Sequence, residues 1–318
     1  MDMAEAQNLE KLRGELKRNE PMARHTSWRA GGAVSCAYVP AGLDDLAAFM
    51  RTLPAQEPVY FVGLGSNLLV RDGGFPGTVI FTHRALRTVR LERAGADGGA
   101  VYSEAGAASP RVARFAALHG LAGAEFLAGI PGTLGGALAM NAGCFGAETW
   151  DIVAQVTTIA RDGALHERTP GDYEIGYRHV RLKAGGNPHP SSLISHPSEE
   201  WFVAARLQLR QGVKKELLLK IKELLVKRLA TQPLDEPNAG SVFRNPEGDH
   251  AARLIEACGL KGHAVGGARI SGKHANFIVN PGGASAADIE ALIELAEARV
   301  REKFGVALER EVRIIGEK

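Results

Sequence analysis

Apolar residues recur along this chain in two rhythms, short runs of strand length and longer stretches of helical period, and the switches between them mark its organisation. Residues 4–18 read as a polar, charged helix. Trp28-Arg29-Ala30-Gly31-Gly32 then turns into a strand over 34–39 that ends before Pro40, and 43–52 alternates as an amphipathic helix. Strands are expected at 59–62, 69–70 and 79–82, with Asp72-Gly73-Gly74 as a turn. This β-α-β-β order predicts a small mixed α/β domain. From residue 85 the pattern changes to short strands around a helix at 109–119, where Ser109 is the expected cap and Pro110 the first helical residue. Strands follow at 153–161, closed by an Asp162-Gly163 turn, and at 201–209. Between them, 183–200 is rich in Pro, Ser, Gly and His and reads as a solvated loop.

Residues 213–230 form an amphipathic pattern, with Leu217, Leu218, Ile221, Leu224 and Leu225 on one face and Lys214, Lys215, Lys222 and Lys227 largely on the other. Such a basic helix suits anionic lipid or a nucleotide, but a merely solvated face is the commoner explanation. After Thr231-Gln232-Pro233 a last α/β unit is expected: a helix at 251–258, a strand at 275–279, a helix at 285–304 capped by Ser285, and a terminal strand at 311–315.

Composition narrows the function classes. At 318 residues the chain is long enough for two or three domains, and its net charge of +2 gives no reason to expect a nucleic acid partner. Cys36, Cys144 and Cys258 are odd in number and far apart, which argues against a disulfide framework or a C-x-x-C metal site and fits a reducing cytoplasm. The N-terminus lacks a basic region followed by an apolar one, and no window approaches eighteen apolar residues, so a soluble, unexported protein is expected. His179, His189 and His196 lack ligand spacing, and no metal is expected.

The chemistry begins with AGIPGTLGGALAMNAGCFG from Ala128, six glycines around one proline and one asparagine. Glycine tolerates positive φ and lets a ligand reach the main chain, and successive N–H groups in turns form anion-binding concavities. A flat, anionic, nucleotide-type cofactor suits such a run; tight turns are the plainer alternative. No lysine follows in the register of a nucleoside-triphosphate loop. A second loop, Gly63-Leu64-Gly65-Ser66-Asn67-Leu68-Leu69, follows the strand at 59–62, but Leu68 stands where a dinucleotide fingerprint wants its third glycine. Arg178 after Tyr177, Ser241 after Gly240, and Glu311 between Arg310 and Arg313 are candidate reacting residues, each with a plain structural account as an ion pair or a turn. Gly240-Ser241 has no G-x-S-x-G around it, so no serine hydrolase is implied.

Taken together, Thr26-Ser27-Trp28-Arg29-Ala30-Gly31-Gly32, GLGSNLLV from Gly63, AGIPGTLGGALAMNAG from Ala128, Tyr177-Arg178, NAGSVFRNP from Asn238, KHANFIVN from Lys273 and LEREVRIIG from Leu308 resemble the UDP-N-acetylenolpyruvoylglucosamine reductases, FAD enzymes of bacterial peptidoglycan precursor synthesis. The likeness spans nearly the whole chain in the family's order. It implies an α+β fold, the FAD-binding fold of the vanillyl-alcohol-oxidase type with two α+β subdomains (1–84 plus 309–318, and 85–228), followed by a UDP-sugar-binding α/β domain at 229–308. FAD, held without a covalent bond, would be met by Gly63, Gly65, Ser66, Asn67 and Leu68 around the pyrophosphate. Gly129, Ile130, Pro131, Gly132, Thr133, Gly135, Gly136, Ala137, Asn141, Ala142 and Gly143 would lie along the diphosphate and isoalloxazine. Tyr177, Arg228, Arg244 and Asn245 would bind the substrate.

The implied reaction has two halves. NADPH reduces the flavin, and the enolpyruvyl ether of UDP-N-acetylglucosamine enolpyruvate then takes the hydride to give UDP-N-acetylmuramate. By the family's motifs Ser241 donates the proton, while Arg178 and Glu311 stabilise the enolate-like intermediate, Glu311 being protonated or acting through Arg178 or a water. No nucleic acid, stable membrane association or obligate protein partner is implied. The sequence departs from the family at Arg244, where many relatives carry lysine, and in the length of the loop from His179 to Glu200. With Tyr177 the only tyrosine after Tyr173, the chain resembles the lidless second type. The rival readings are a flavin oxidase of the same fold, one sign of which would be a covalent link through Cys144, and a catalytically silent flavin-binding scaffold.

Overall fold

The computed structural model describes residues 12–183 and 200–318. Helices and strands are mixed throughout, as an α+β chain requires, and a four-stranded sheet takes Glu15–Pro21, Ala33–Val39, Phe75–Phe81 and Val59–Val62 in that order. The chain falls into two compact units.

The first unit comprises, among the described residues, 12–16, 38–63, 79–183 and 200–225. Its centre is an antiparallel sheet ordered Leu165–Arg168, Val153–Ala160, Glu200–Gln211, Gly98–Glu104 and Val89–Gly95, with Leu121–Ala122 pairing off the long strand. Alternation along that strand tells which face is covered: Ala205, Leu207 and Leu209 are buried while Gln208 and Arg210 are exposed. The buried face packs with Val101 and with Val112, Ala113 and Ala116 of the helix Ser109–Leu118. A second core joins Val203 and Ile159 to the helix Leu43–Thr52 through Leu46, Phe49 and Met50, where Tyr38 stacks on Phe49 at 3.7 Å. The Tyr38 hydroxyl donates to buried Asp45, which also accepts from the Ala41 and Arg13 amides, so this carboxylate fastens three points of the chain.

The second unit comprises residues 17–37, 64–78 and 226–318. Ala264–Val265, Ala268–Ile270 and Ile278–Val279 form a small antiparallel sheet, and the helices Ala251–Ala257 and Ala286–Phe304 pack in the same core as Trp28, Leu69, Val242 and Phe243. Trp28 is fully buried and donates its indole N–H to the Ile278 carbonyl at 2.7 Å; Asn280 Nδ2 returns a bond to the Trp28 carbonyl. The last strand, Arg313–Ile315, lies parallel to Leu68–Val70, in register Arg313 with Leu68.

Several expectations are corrected. The helix expected at 4–18 does not form over Glu15–Pro21, which is a strand; sheet pairing overrides the polar segment's local helical preference, and residues 4–11 lie outside those described. Ser109 is not the cap: Ala108 holds that position and fully buried Ser109 is the first helical residue, ahead of Pro110. The strand expected at 275–279 shrinks to Ile278–Val279, and the terminal strand begins at Arg313, two residues beyond Glu311. The helix Lys214–Thr231 forms, but Leu217 alone is buried; Leu218, Ile221 and Leu224 are half-buried and Leu225 is exposed. Of the loop expected at 183–200, residues 184–199, with His189 and His196, lie outside those described, and Glu200 already opens the strand Glu200–Gln211. The expected Ser285 cap is present as a capping box, Ser285 Oγ accepting from the Asp288 amide and the Asp288 carboxylate from the Ser285 amide.

Candidate functional site

In the first unit the long glycine run is shaped by close backbone approach. Residues Glu125–Gly129 form a 3-10 turn, and the short helix Leu134–Ala139 starts at Thr133. Its first amides are spent: Leu134 N–H donates to the Ala107 carbonyl and Gly135 N–H to that of Ala105. Side chains are excluded at set points. A Cβ on Gly129 would come within 2.7 Å of Cys144 Sγ, one on Gly135 within 2.8 Å of Ala105 Cβ, and one on Gly143 within 2.6 Å of the Ala147 carbonyl. A Cβ on Gly63, the last residue of its stretch in this unit, would collide with Thr133 Oγ1. Gly136 differs: it is exposed, and among the described residues a Cβ there would reach only Thr133 Oγ1, at 4.0 Å. Exposed Pro131 and Gly136 and half-buried Gly135 thus present a nearly bare main chain beside buried Gly132, Thr133 and Ala137. This side-chain-free surface leaves room for a large flat cofactor such as FAD to lie against the main chain.

The far end of the run is tied to a hairpin. Asn141, in a left-handed conformation at φ 41° and 1% exposed, spends its side chain on protein: Nδ2 donates to Glu148 Oε2 at 2.7 Å and to the Gly176 carbonyl at 3.2 Å, and Oδ1 accepts from the Trp150 amide. Strands Tyr173–Gly176 and His179–Leu182 pair, and their turn carries exposed Tyr177 and half-buried Arg178. Arg178 is itself left-handed at φ 54°, and its Nη2 donates to the Gly143 carbonyl at 3.2 Å. Two hydrogen bonds in opposite directions therefore fix the Arg178 turn against the end of the glycine run. Ala142 and Ile130 complete this stretch, half-buried and buried.

In the second unit Ser241, Glu311 and the short glycine loop come together. Gly65, at φ 61°, packs so closely on the His25 carbonyl that a side chain there would collide with it, and its own carbonyl accepts from Ser27. Half-buried Ser66 and Asn67 follow, then buried Leu68. Asn67 Nδ2 donates to the Glu311 carbonyl at 3.1 Å and the Asn67 carbonyl accepts from the Arg313 amide, so the loop and the Glu311 segment are one structure. The Glu311 amide in turn donates to the Val242 carbonyl at 2.8 Å, which sets Ser241 and Glu311, both half-buried, on adjoining segments.

The residues expected to bind substrate are placed as follows. Arg244 Nη1 pairs with Glu309 at 3.2 Å, Asn245 Oδ1 accepts from the Ala251 amide at the start of a helix, and Arg228 Nε donates to Gln232. Sequence reasoning missed Asn238, whose Oδ1 accepts from the Gly240 amide in an Asx turn, and Asn276, which holds Phe243 from both sides. Signals for both were present: asparagine two places before a glycine, and asparagine inside the apolar run Ala275-Asn276-Phe277-Ile278-Val279. Among the described residues no group of three or more His, Cys, Asp or Glu is arranged to hold a metal ion, and no helix is long and apolar enough to cross a membrane.

Comparison with known proteins matches residues 34–169 to an FAD binding domain and residues 232–315 to the C-terminal domain of UDP-N-acetylenolpyruvoylglucosamine reductase. The UDP-N-acetylenolpyruvoylglucosamine reductase of Nitrosospira multiformis is 57% identical over 314 residues, covering 96% of this chain and 90% of that protein. That of Thiobacillus denitrificans is 55% identical over 316 residues, covering 96% and 94%. Among solved structures, UDP-N-acetylenolpyruvylglucosamine reductase from Thermus caldophilus superposes with a TM-score of 0.74 at 33% identity, over 95% of this chain and 99% of that one. Bare glycine backbone in the matched FAD domain, and Ser241 beside Glu311 in the matched C-terminal region, are thus features of a chain that belongs to the UDP-N-acetylenolpyruvoylglucosamine reductase family.

Proposed function

We propose that this FAD-dependent oxidoreductase of peptidoglycan precursor synthesis reduces UDP-N-acetylglucosamine enolpyruvate to UDP-N-acetylmuramate with NADPH, and that Ser241, Arg178 and Glu311 serve its second half-reaction. Bound FAD supplies a two-electron relay from NADPH to the vinyl CH2 of the substrate. Hydride arrival there leaves an electron pair on the carbon bearing the ether oxygen, spread into the neighbouring carboxylate, and a proton must complete the CH–CH3 product. Ser241 gives that proton and recovers one from solvent. The observation that carries this role is the register of the second unit, in which the Glu311 amide bonds the carbonyl next to Ser241.

Arg178 supplies a guanidinium, held at its turn by the Gly143 carbonyl, to a substrate carboxylate, where two charge-assisted hydrogen bonds are available. Glu311 acts as a neutral acid, or through Arg178 or a water, because an ionised carboxylate would repel the building charge. Tyr177, Arg228, Arg244 and Asn245 are assigned to the sugar nucleotide. The domains are assigned as 1–84 with 309–318 and 85–228 for FAD, and 229–308 for the UDP-sugar. The reaction is assigned to the cytoplasm, where Cys36, Cys144 and Cys258, none of them in a disulfide, stay reduced.

The test separates the half-reactions by stopped flow. Ser241→Ala leaves flavin reduction by NADPH intact and slows reoxidation by the enolpyruvyl sugar by on the order of 10²–10⁴. Equal slowing of both halves would make Ser241 a structural or binding residue.

A further inference from the structure

We infer that Asn276 is a positioning residue for Ser241, aiming the hydroxyl through a two-point clamp on the adjoining main chain. Asn276 is 3% exposed, so it meets no substrate. Its side-chain amide acts as a peptide group would in a sheet: Oδ1 accepts from the Phe243 N–H at 2.9 Å and Nδ2 donates to the Phe243 carbonyl at 2.8 Å. Its own carbonyl accepts from the Val242 N–H at 2.9 Å. Counting the bond from Glu311 N–H to the Val242 carbonyl, every main-chain polar group of Val242 and Phe243 is satisfied, three of the four by Asn276.

The geometry around this clamp explains why Ser241 needs one. The segment after Pro233 runs beside 276–280: the Asn280 N–H donates to the Pro237 carbonyl, Asn238 bridges Val279, and Val242 bonds Asn276. From Asn238 to Val242 is four steps, while from Val279 back to Asn276 is three, so one extra residue is accommodated on the Ser241 side. Such an insertion bends a strand and redirects a side chain. The Asx turn of Asn238 and the left-handed Gly240 at φ 75° fix the bend before Ser241. Asn276 fixes the chain after it.

Asn276 is fixed in turn. Its N–H donates to His274 Nδ1 at 3.3 Å. Burial first, then the charge of Lys261, holds the His274 pKa below its ordinary value and so favours the neutral ring that can accept. Leucine of similar size in place of Asn276 would leave the Phe243 N–H and carbonyl buried without their partners, and the chain after Ser241 free to shift.

The inference rests on Ser241 being the proton donor, and the experiment tests both. Wild type, Ser241→Ala, Asn276→Leu and Asn276→Asp holoenzymes are compared by anaerobic stopped flow, in H2O and D2O, for flavin reduction by NADPH and reoxidation by UDP-N-acetylglucosamine enolpyruvate. Misplacing a reacting group by an ångström costs roughly 100-fold, so Asn276→Leu should slow reoxidation on the order of 10- to 100-fold while reduction stays within about two-fold of wild type. Its solvent isotope effect on reoxidation should rise, because proton delivery has become the slow event. Asn276→Asp, which keeps the acceptor for the Phe243 N–H, should fall between wild type and Asn276→Leu, and decides the matter if the leucine variant does not fold. Unchanged reoxidation in a folded variant, or equal slowing of both halves, overturns the positioning role while leaving Ser241 in place. If Ser241→Ala fails to slow reoxidation selectively, the proton-donor reading falls and takes this inference with it.

Discussion

Gly136→Ala tests whether the bare face of the glycine run is there for the cofactor. Gly136 lies in the helix Leu134–Ala139 without a positive φ, so alanine fits its backbone, and among the described residues the new methyl would have only Thr133 Oγ1 near it, at 4.0 Å, an ordinary contact. Folding therefore has no reason to suffer. Exchanging glycine for alanine inside a helix favours the folded state by up to about 1 kcal/mol, and the apoprotein should melt at the same temperature or slightly higher. FAD lying on this face would meet the methyl. Overfilling a well-packed contact costs roughly 1–3 kcal/mol, which corresponds to about a 5- to 150-fold weaker dissociation constant. The assay is titration of apoprotein with FAD by quenching of flavin fluorescence, alongside thermal unfolding of the apoprotein. Gly135→Ala serves as the contrast, because its Cβ would sit 2.8 Å from Ala105 Cβ and should lower stability before any cofactor is added. An alanine at 136 that raises or preserves stability and leaves FAD affinity unchanged would refute the reasoning.

Two further predictions concern the second unit. Glu290, its side chain 7% exposed, is gripped at both oxygens by Arg71 at 2.9 and 2.8 Å; these bonds outweigh burial and hold its pKa below the ordinary carboxylate value. A lowered folded-state pKa contributes stability that is complete above the unfolded value and lost as pH falls through the folded one. Arg71→Met should cost about 3 kcal/mol at neutral pH in urea unfolding and flatten the acid dependence; a variant as acid-sensitive as wild type would exclude this pair as its source. Ser285→Ala removes one half of the capping box of the helix Ala286–Phe304 and should cost roughly 1 kcal/mol in the same assay. Asp72, whose carboxylate accepts from the Ala286 and Ala287 amides, keeps the helix start from fraying, so a loss several-fold larger would contradict this account.

Where a local interaction decides an element, it could be read directly from the residues. Ser285 followed three places later by Asp288 is a complete cap within four residues, and the helix it opens formed as expected. The amphipathic helix Leu43–Thr52 and the strand Val59–Val62 carry their periodicity within themselves. Glu15–Pro21 lacks such internal definition: its polar residues suit a helix in isolation, and pairing with a distant strand made it extended. Buried Ser109 likewise resembles a cap until the chain places Ala108 before it.

The site divides in the same way. The sequence by itself determined the chemical inventory: the two glycine runs, Tyr177-Arg178, the Gly240-Ser241 pair, Glu311, and through them the family, because these are runs of neighbouring residues in a fixed order. Tertiary structure alone decided which of them serve one another. The Asn141 side-chain amide is bonded to Glu148, Trp150 and Gly176, and so ties the end of the glycine run to the Tyr177-Arg178 hairpin. Ser241 and Glu311, seventy residues apart in sequence, become neighbours through main-chain bonds such as Glu311 N–H to the Val242 carbonyl and Arg244 N–H to the Glu309 carbonyl, and Asn276 acquires its place by taking three of four main-chain groups beside Ser241. The physical reason is that main-chain N–H and C=O groups are the same in every residue. Periodicity and turn chemistry disclose local pairing, whereas the choice among distant partners is made only when burial removes water and each such group must find one.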